Sequence, residues 1–103
     1  AAEYSMNPCK RIEIIIEETL ARRMAEQLQT LNAPGYTLIP RARGAGDRGL
    51  MRGDDPTGAA SNCVFIIASE DEETVSRIVE GVRAFLARHG GVCLVTEAYW
   101  VRH

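Results

Sequence analysis

Cys63-Val64-Phe65-Ile66-Ile67-Ala68 carries an apolar side chain at every position. A strand wetted on one side alternates polar with apolar residues, so this run marks a strand covered on both faces. Just after it, Ser69 and Glu72 have capping-box spacing and predict a helix start. Val75, Ile78, Val79, Val82, Phe85 and Leu86 then share one helical face. Arg88 and His89 supply a cationic last turn, and Gly90-Gly91 a stop. From Val92 to Val101 a last strand follows, with Val92, Leu94 and Val95 apolar on both faces at its start.

Upstream, residues Lys10 to Glu17 alternate: Ile12, Ile14 and Ile16 fall on one face, Arg11, Glu13, Ile15 and Glu17 on the other. Leu20, Met24, Leu28 and Leu31, flanked by Ala21 and Ala25, form a helical stripe, with Glu17 and Glu18 at its positive end. Asn32-Ala33-Pro34-Gly35 stops that helix, and Tyr36 to Arg41 reads as a second strand whose Pro40 belongs at an edge or bulge. The order is βαββαβ, which predicts an α+β, ferredoxin-like fold: a four-stranded antiparallel sheet with two helices on one face. Residues 10–103 form this domain. Residues 1–9 precede it, and Ala1 to Ser5 read as a remnant ahead of a natural start at Met6.

A chain of 103 residues holds one core, and 46% hydrophobic with 25% charged residues is a globular composition. A net charge of -2 disfavours a nucleic-acid binder, so any anion site is local. Cys9, Cys63 and Cys93 are odd in number and form no CxxC pair, which favours a reducing cytoplasm over a disulfide framework or a zinc site. No apolar run approaches the roughly 20 residues needed for a membrane span.

Two helices cover one face of a four-stranded sheet, yet Ile15, the alternate positions of the third strand (Val64 and Ile66 against Phe65 and Ile67), and Cys93 or Leu94 leave both faces apolar. Either the long loop folds back over the uncovered face, or sheets pack together around a closed axis. The second is favoured and predicts an oligomer.

The loop, about residues 41–61, is rich in chain-breaking residues and exceeds the usual length of structureless connections. Between Arg41 and Arg52 four arginines face the single Asp47, a net charge of +3. Guanidinium forks suit phosphate oxygens, and Gly44, Gly46 and Gly49 let backbone N–H groups approach an anion. The same composition also suits a merely solvated loop. GxxxxGK[ST] is absent, so this is not a P-loop, and Asp54 and Asp55 read as solvated charges rather than cation ligands.

The frame Gly35-Tyr36-Thr37, Gly44-x-Gly46-x-Arg48, Arg52, Ser61-Asn62-Cys63-Val64-Phe65 and Gly91-Val92-Cys93-Leu94-Val95-Thr96-Glu97-Ala98 resembles PII-like proteins, in particular those encoded beside bicarbonate transporters and carboxysomes. The resemblance runs from Lys10 to Val101. It implies a homotrimer that binds ADP, AMP or cyclic AMP in clefts between subunits, with a long loop that responds to ligand and contacts a partner, a bicarbonate transporter or a carboxysome-related protein. By position, Gly44, Gly46, Arg48 and Arg52 would hold phosphate, and Gly35, Thr37 and Ile39 would line the cleft. His89, Gly90, Gly91 and Val92 would face adenine from the neighbouring subunit, with Arg102 at the end of the last strand. Lys10, Arg48 and Ser61 are the candidates for bicarbonate.

The departures narrow the expectation. No tyrosine lies between Thr37 and Gly91, which disfavours the uridylylation of nitrogen-sensing PII proteins. Arg88-His89-Gly90-Gly91 replaces their lysine-bearing glycine turn, and Trp100 stands where one of two terminal arginines would be. Mono- and diphosphates are therefore expected over ATP with 2-oxoglutarate.

No motif pairs His89 or His103 with a nucleophile, so an enzyme is not expected. An RNA-recognition module needs aromatic residues on its first and third strands, and Phe65 alone qualifies. A metal-transport module needs CxxC, and acylphosphatase-like catalysis needs a phosphate loop where the first helix begins. The serious alternative is a ferredoxin-like trimer that binds another small molecule or docks a protein through its loop.

Overall fold

A computed structural model describes residues 3–43 and 61–103. The elements run β1 (Ser5–Glu17), a 3-10 turn (Glu18–Leu20), α1 (Ala21–Thr30), β2 (Thr37–Ala42), β3 (Asn62–Ser69), α2 (Glu72–His89) and β4 (Val92–Arg102). The sheet is antiparallel in the order β2-β3-β1-β4, with β2 and β4 at its edges. This is the ferredoxin-like fold that the alternating and helical patterns predict.

The core follows from the two periodicities. Ile12, Ile14 and Ile16 of β1 and Cys63, Phe65 and Ile67 of β3 point to one face, where Met24 and Leu28 of α1 and Ile78, Val82 and Phe85 of α2 close over them. Burying side chains of this size stabilises the fold by about 1.5–3 kcal/mol each. The helices meet closely: a Cβ on Gly81 of α2 would stand 2.5 Å from the Leu31 methyls. Arg77 of α2 donates through Nε to the Leu31 carbonyl at 2.7 Å and so satisfies a carbonyl at the end of α1. Burial pushes the Cys63 and Cys93 thiols up, and the nearby Glu18 adds to the rise at Cys63.

Three local features differ from the sequence reading. β1 begins at Ser5 rather than Lys10, because Ser5 to Cys9 pair with Ala98 to Arg102 where β3 has already ended. β2 occupies Thr37–Ala42 rather than Tyr36 to Arg41, and its ladder to β3 shifts register between Ile39 and Ala42. Pro40 lies in that irregularity on an edge strand, as expected of a residue without an N–H.

The third difference is the cap of α2, which is Asp71 and not Ser69. Ser69 still belongs to β3 opposite Lys10, and its hydroxyl accepts from the Asp71 N–H at 3.1 Å. The Asp71 carboxylate accepts from the Thr74 hydroxyl at 2.6 Å and the Thr74 N–H at 2.9 Å. These bonds, the hydroxyl first, hold its pKa below the ordinary aspartate value. A lowered folded-state pKa stabilises the fold above the unfolded-state value and is lost as pH falls through the folded one. Asp71→Asn keeps a cap and is expected to preserve the melting temperature at neutral pH while flattening its decline in acid; Asp71→Ala is expected to lower it at both. Thermal melts between pH 7 and 3 check both variants.

Candidate functional site

The side of the sheet away from the helices carries Ile39, Val64, Ile66, Ile15, Val92 and Leu94, with Ile39 and Leu94 45% and 50% exposed. Arg11 and Glu13 pair on this side at 2.9 Å, so its polar groups are partly neutralised within the patch. Among the described residues nothing covers it.

Cross-strand register places the residues expected to line a ligand cleft. Ile39 pairs with Val64, Val64 with Ile15, and Ile15 with Val92, so one row crosses the sheet from β2 to β4. Three strand spacings put its ends about 14 Å apart. Gly35, Thr37 and Ile39 therefore lie at one edge, while Gly90, Gly91 and Val92 open the strand at the other. One copy of the chain does not bring the two groups together.

The turn before β4 is built for close approach. Gly90 and Gly91 have φ of 84° and 129°, conformations that favour glycine. A Cβ on Gly91 would meet Ile16, Leu86 and the Ile15 carbonyl at 2.8, 2.8 and 2.9 Å, while one on Gly90 would meet nothing within 4 Å. The His89 ring packs on Phe85, with ring centroids 4.5 Å apart.

Arg102 ends β4, about 33 Å along the strand from Val92. Its guanidinium pairs with the Glu70 carboxylate and lies 4.5 Å from the Trp100 ring centroid. Lys10 pairs with Glu97 at 3.3 Å, near the end of the sheet opposite Ser61 and about 25 Å away. Lys10 and Ser61 of one copy are thus far apart. Gly44, Gly46, Arg48 and Arg52 lie outside the described residues.

Glu18 joins the two segments that flank residues 44–60. Its Oε1 accepts from the Ser61 hydroxyl at 2.8 Å and from the Arg41 N–H at 3.0 Å, and its own N–H donates to the Ser61 carbonyl at 2.9 Å. The sequence reading assigned Glu18 only a place at a helix N-terminus. No local signal marks its second task, because Arg41 and Ser61 are distant in sequence from it.

A groove of about 540 Å³ beside α1 takes in Arg22, Glu26, Pro34, Gly35 and Tyr36. It lies on the helix side of β2 and contains only Gly35 of the expected residues. No group of three metal-ligating side chains occurs among the described residues, and none of their helices is long and apolar enough to cross a membrane.

Solved structures share this fold. The apo form of CPII, a nitrogen regulatory PII-like protein from Thiomonas intermedia K12, is 26% identical with a TM-score of 0.77, over 97% of this chain and 99% of that one. The structure of CPII bound to ADP and bicarbonate is 27% identical with a TM-score of 0.75, over 93% and 91%. A PII-like signalling protein from Thermus thermophilus is 28% identical with a TM-score of 0.69, over 93% and 92%. No curated protein matches the chain. The model of the family described as nitrogen regulatory protein P-II matches residues 9–103, and the chain therefore belongs to the PII family of signalling proteins.

Proposed function

We propose that the chain is a homotrimeric sensor that takes ADP or AMP in the clefts between its subunits, with bicarbonate as a second ligand. Through its long loop it regulates inorganic-carbon uptake or carboxysome function. One observation supports the reading: residues expected on the two halves of the cleft lie on opposite edges of the sheet, with Ile39 level with Val92, so that a second copy would bring them together. Joining the β2 edge of one subunit to the β4 edge of the next is a head-to-tail contact, which closes into a three-membered ring when each contact turns the chain by a third of a circle. The uncovered apolar face supplies the driving force for that ring, at about 25 cal/mol per Å² removed from water.

The ligand class comes from the relatives, since CPII has been solved with ADP and bicarbonate and with ADP, AMP and bicarbonate. In this chain Gly90, with open space where a side chain would stand, lets the backbone come close to a flat base, and the arginines between residues 41 and 52 would meet the phosphates. The protein binds and signals in the cytoplasm and does not catalyse.

Equilibrium dialysis with labelled ADP, AMP and ATP tests the reading. Binding of ADP or AMP by an intact trimer is expected; a trimer that takes none of them is a docking module instead. Arg48→Ala and Arg52→Ala are each expected to weaken ADP binding by one to two orders of magnitude, roughly 1.5–3 kcal/mol, while the unliganded melting temperature stays unchanged. An equal fall in stability would make these arginines structural.

A further inference from the structure

We infer that Arg77 is a positioning residue for the nucleotide cleft: from α2 it clamps the end of α1 and thereby sets where Gly35 and Thr37, on the β2 side of the cleft, come to lie. The inference rests on the proposed reading that these residues line a nucleotide site.

The turn after α1 leaves carbonyls for another element to satisfy. The Ala33 N–H donates to the Leu28 carbonyl at 2.9 Å and the Asn32 N–H to the Gln29 carbonyl at 3.0 Å, with Asn32 at a φ of 59°. This is the Schellman pattern, with Asn32 in the left-handed position that glycine most often fills. It uses neither the Leu31 nor the Asn32 carbonyl. Arg77 reaches both: its Nε donates to Leu31 at 2.7 Å and its Nη2 makes a longer bond to Asn32 at 3.5 Å. A planar guanidinium holds two acceptors in one fixed relation, which a single ammonium does not.

One helical turn further on, α2 grips the same residue again. A Cβ on Gly81 would stand 2.5 Å from both Leu31 methyls, so the Leu31 side chain lies directly on the backbone of α2. With its side chain and its carbonyl both held, Leu31 has a fixed place and a fixed direction of exit. From there the chain runs through Asn32 to Tyr36 before Thr37 takes up the ladder opposite Ile66. The Tyr36 ring, its centroid 5.1 Å from that of Phe65, anchors the far end of this segment. Gly35 lies between the two anchors with no side chain of its own to place it, and a Cβ there would meet nothing within 4 Å. Its position is therefore dictated from both ends, and Arg77 holds the near one. Arg77 itself is exposed, so its contribution is this clamp and not core packing.

Calorimetric titration of ADP and of AMP into wild type, Arg77→Ala, Arg77→Lys and Ile78→Val tests the inference, at a temperature where circular dichroism shows every protein folded. Ile78→Val trims the core at the next residue of α2 and controls for lost stability alone. Arg77→Ala is expected to bind both nucleotides about fivefold more weakly or worse, by the same factor for each, because the displaced wall meets the part they share. Arg77→Lys keeps the charge without the fork and is expected to recover only part of the loss, while Ile78→Val binds as wild type does. Wild-type affinity in Arg77→Ala, or an equal loss in Ile78→Val, overturns the inference. Full recovery in Arg77→Lys also overturns it, since charge rather than the clamp would then be responsible. Hydrogen exchange of the unliganded proteins separates this failure from that of the nucleotide reading. Faster exchange over residues 33–37 in Arg77→Ala than in Ile78→Val is expected whether or not ADP binds, and unchanged exchange there removes the clamp. A wild type that takes no ADP, with that difference in exchange present, removes the nucleotide reading and leaves the clamp.

Discussion

Gly91→Ala is expected to lower the melting temperature by at least about 10 °C, while Gly90→Ala, one residue earlier, is expected to cost much less. Both glycines have positive φ, so each substitution meets backbone strain of roughly 1–3 kcal/mol. Only Gly91 adds a collision. Its new methyl group would press on Ile16 and Leu86 at 2.8 Å and on the Ile15 carbonyl at 2.9 Å, none of which is the free end of an exposed side chain. Overpacking of this kind costs about 1–3 kcal/mol more. The sum is a large part of the total stability of about 5–15 kcal/mol typical of a domain. Thermal unfolding of the two variants side by side checks the contrast; equal small losses would mean that the turn before β4 shifts freely and is not a rigid wall of the cleft.

Val64→Asp is expected to dissociate the assembly and abolish ADP binding together, while leaving a folded monomer. Val64 sits in the middle of the open face between Ile39 and Ile15 and is half-buried in a single chain, so a carboxylate there can reach water when the chain is alone. In the proposed trimer, sheet packed against sheet would remove that water. An unpaired charge then costs several kcal/mol per subunit, enough to reverse an assembly held by apolar contact. Sedimentation velocity reads the mass and circular dichroism the fold. A variant that stays trimeric would show that the open face is not the contact surface, and one that unfolds as a monomer would show that Val64 belongs to the core of a single chain.

The parts of the fold that were legible in the sequence are those with a period. Ile12, Ile14 and Ile16 repeat every second residue and Met24, Leu28, Ile78, Val82 and Phe85 at helical spacing, and all of them are in the core. The doubly apolar third strand likewise marked the sheet's second apolar face. Features set by contact between distant segments were not legible. Residues Ser5 to Cys9 form a strand only because β4 extends alongside them. Ser69 has the right spacing for a cap, but the ladder with β1 keeps it in the sheet and passes the cap to Asp71.

The candidate site divides in the same way. Glycines before β4 announce themselves by residue type, since only glycine accepts their backbone angles and, at Gly91, the space. Glu18 could not be read, because its partners Arg41 and Ser61 approach it only through the pairing of β2 and β3 beside β1. The engagement of Arg102 with Glu70 likewise depends on β4 running past the start of α2.

Native mass spectrometry of the full chain with ADP asks most directly whether the nucleotide site is made by joining sheet edges. The expected spectrum is a trimer carrying up to three ADP molecules, with no ADP on any monomer that separates from it. A monomer that binds ADP by itself, or a trimer that binds none, would contradict a site divided between β2 of one subunit and β4 of the next.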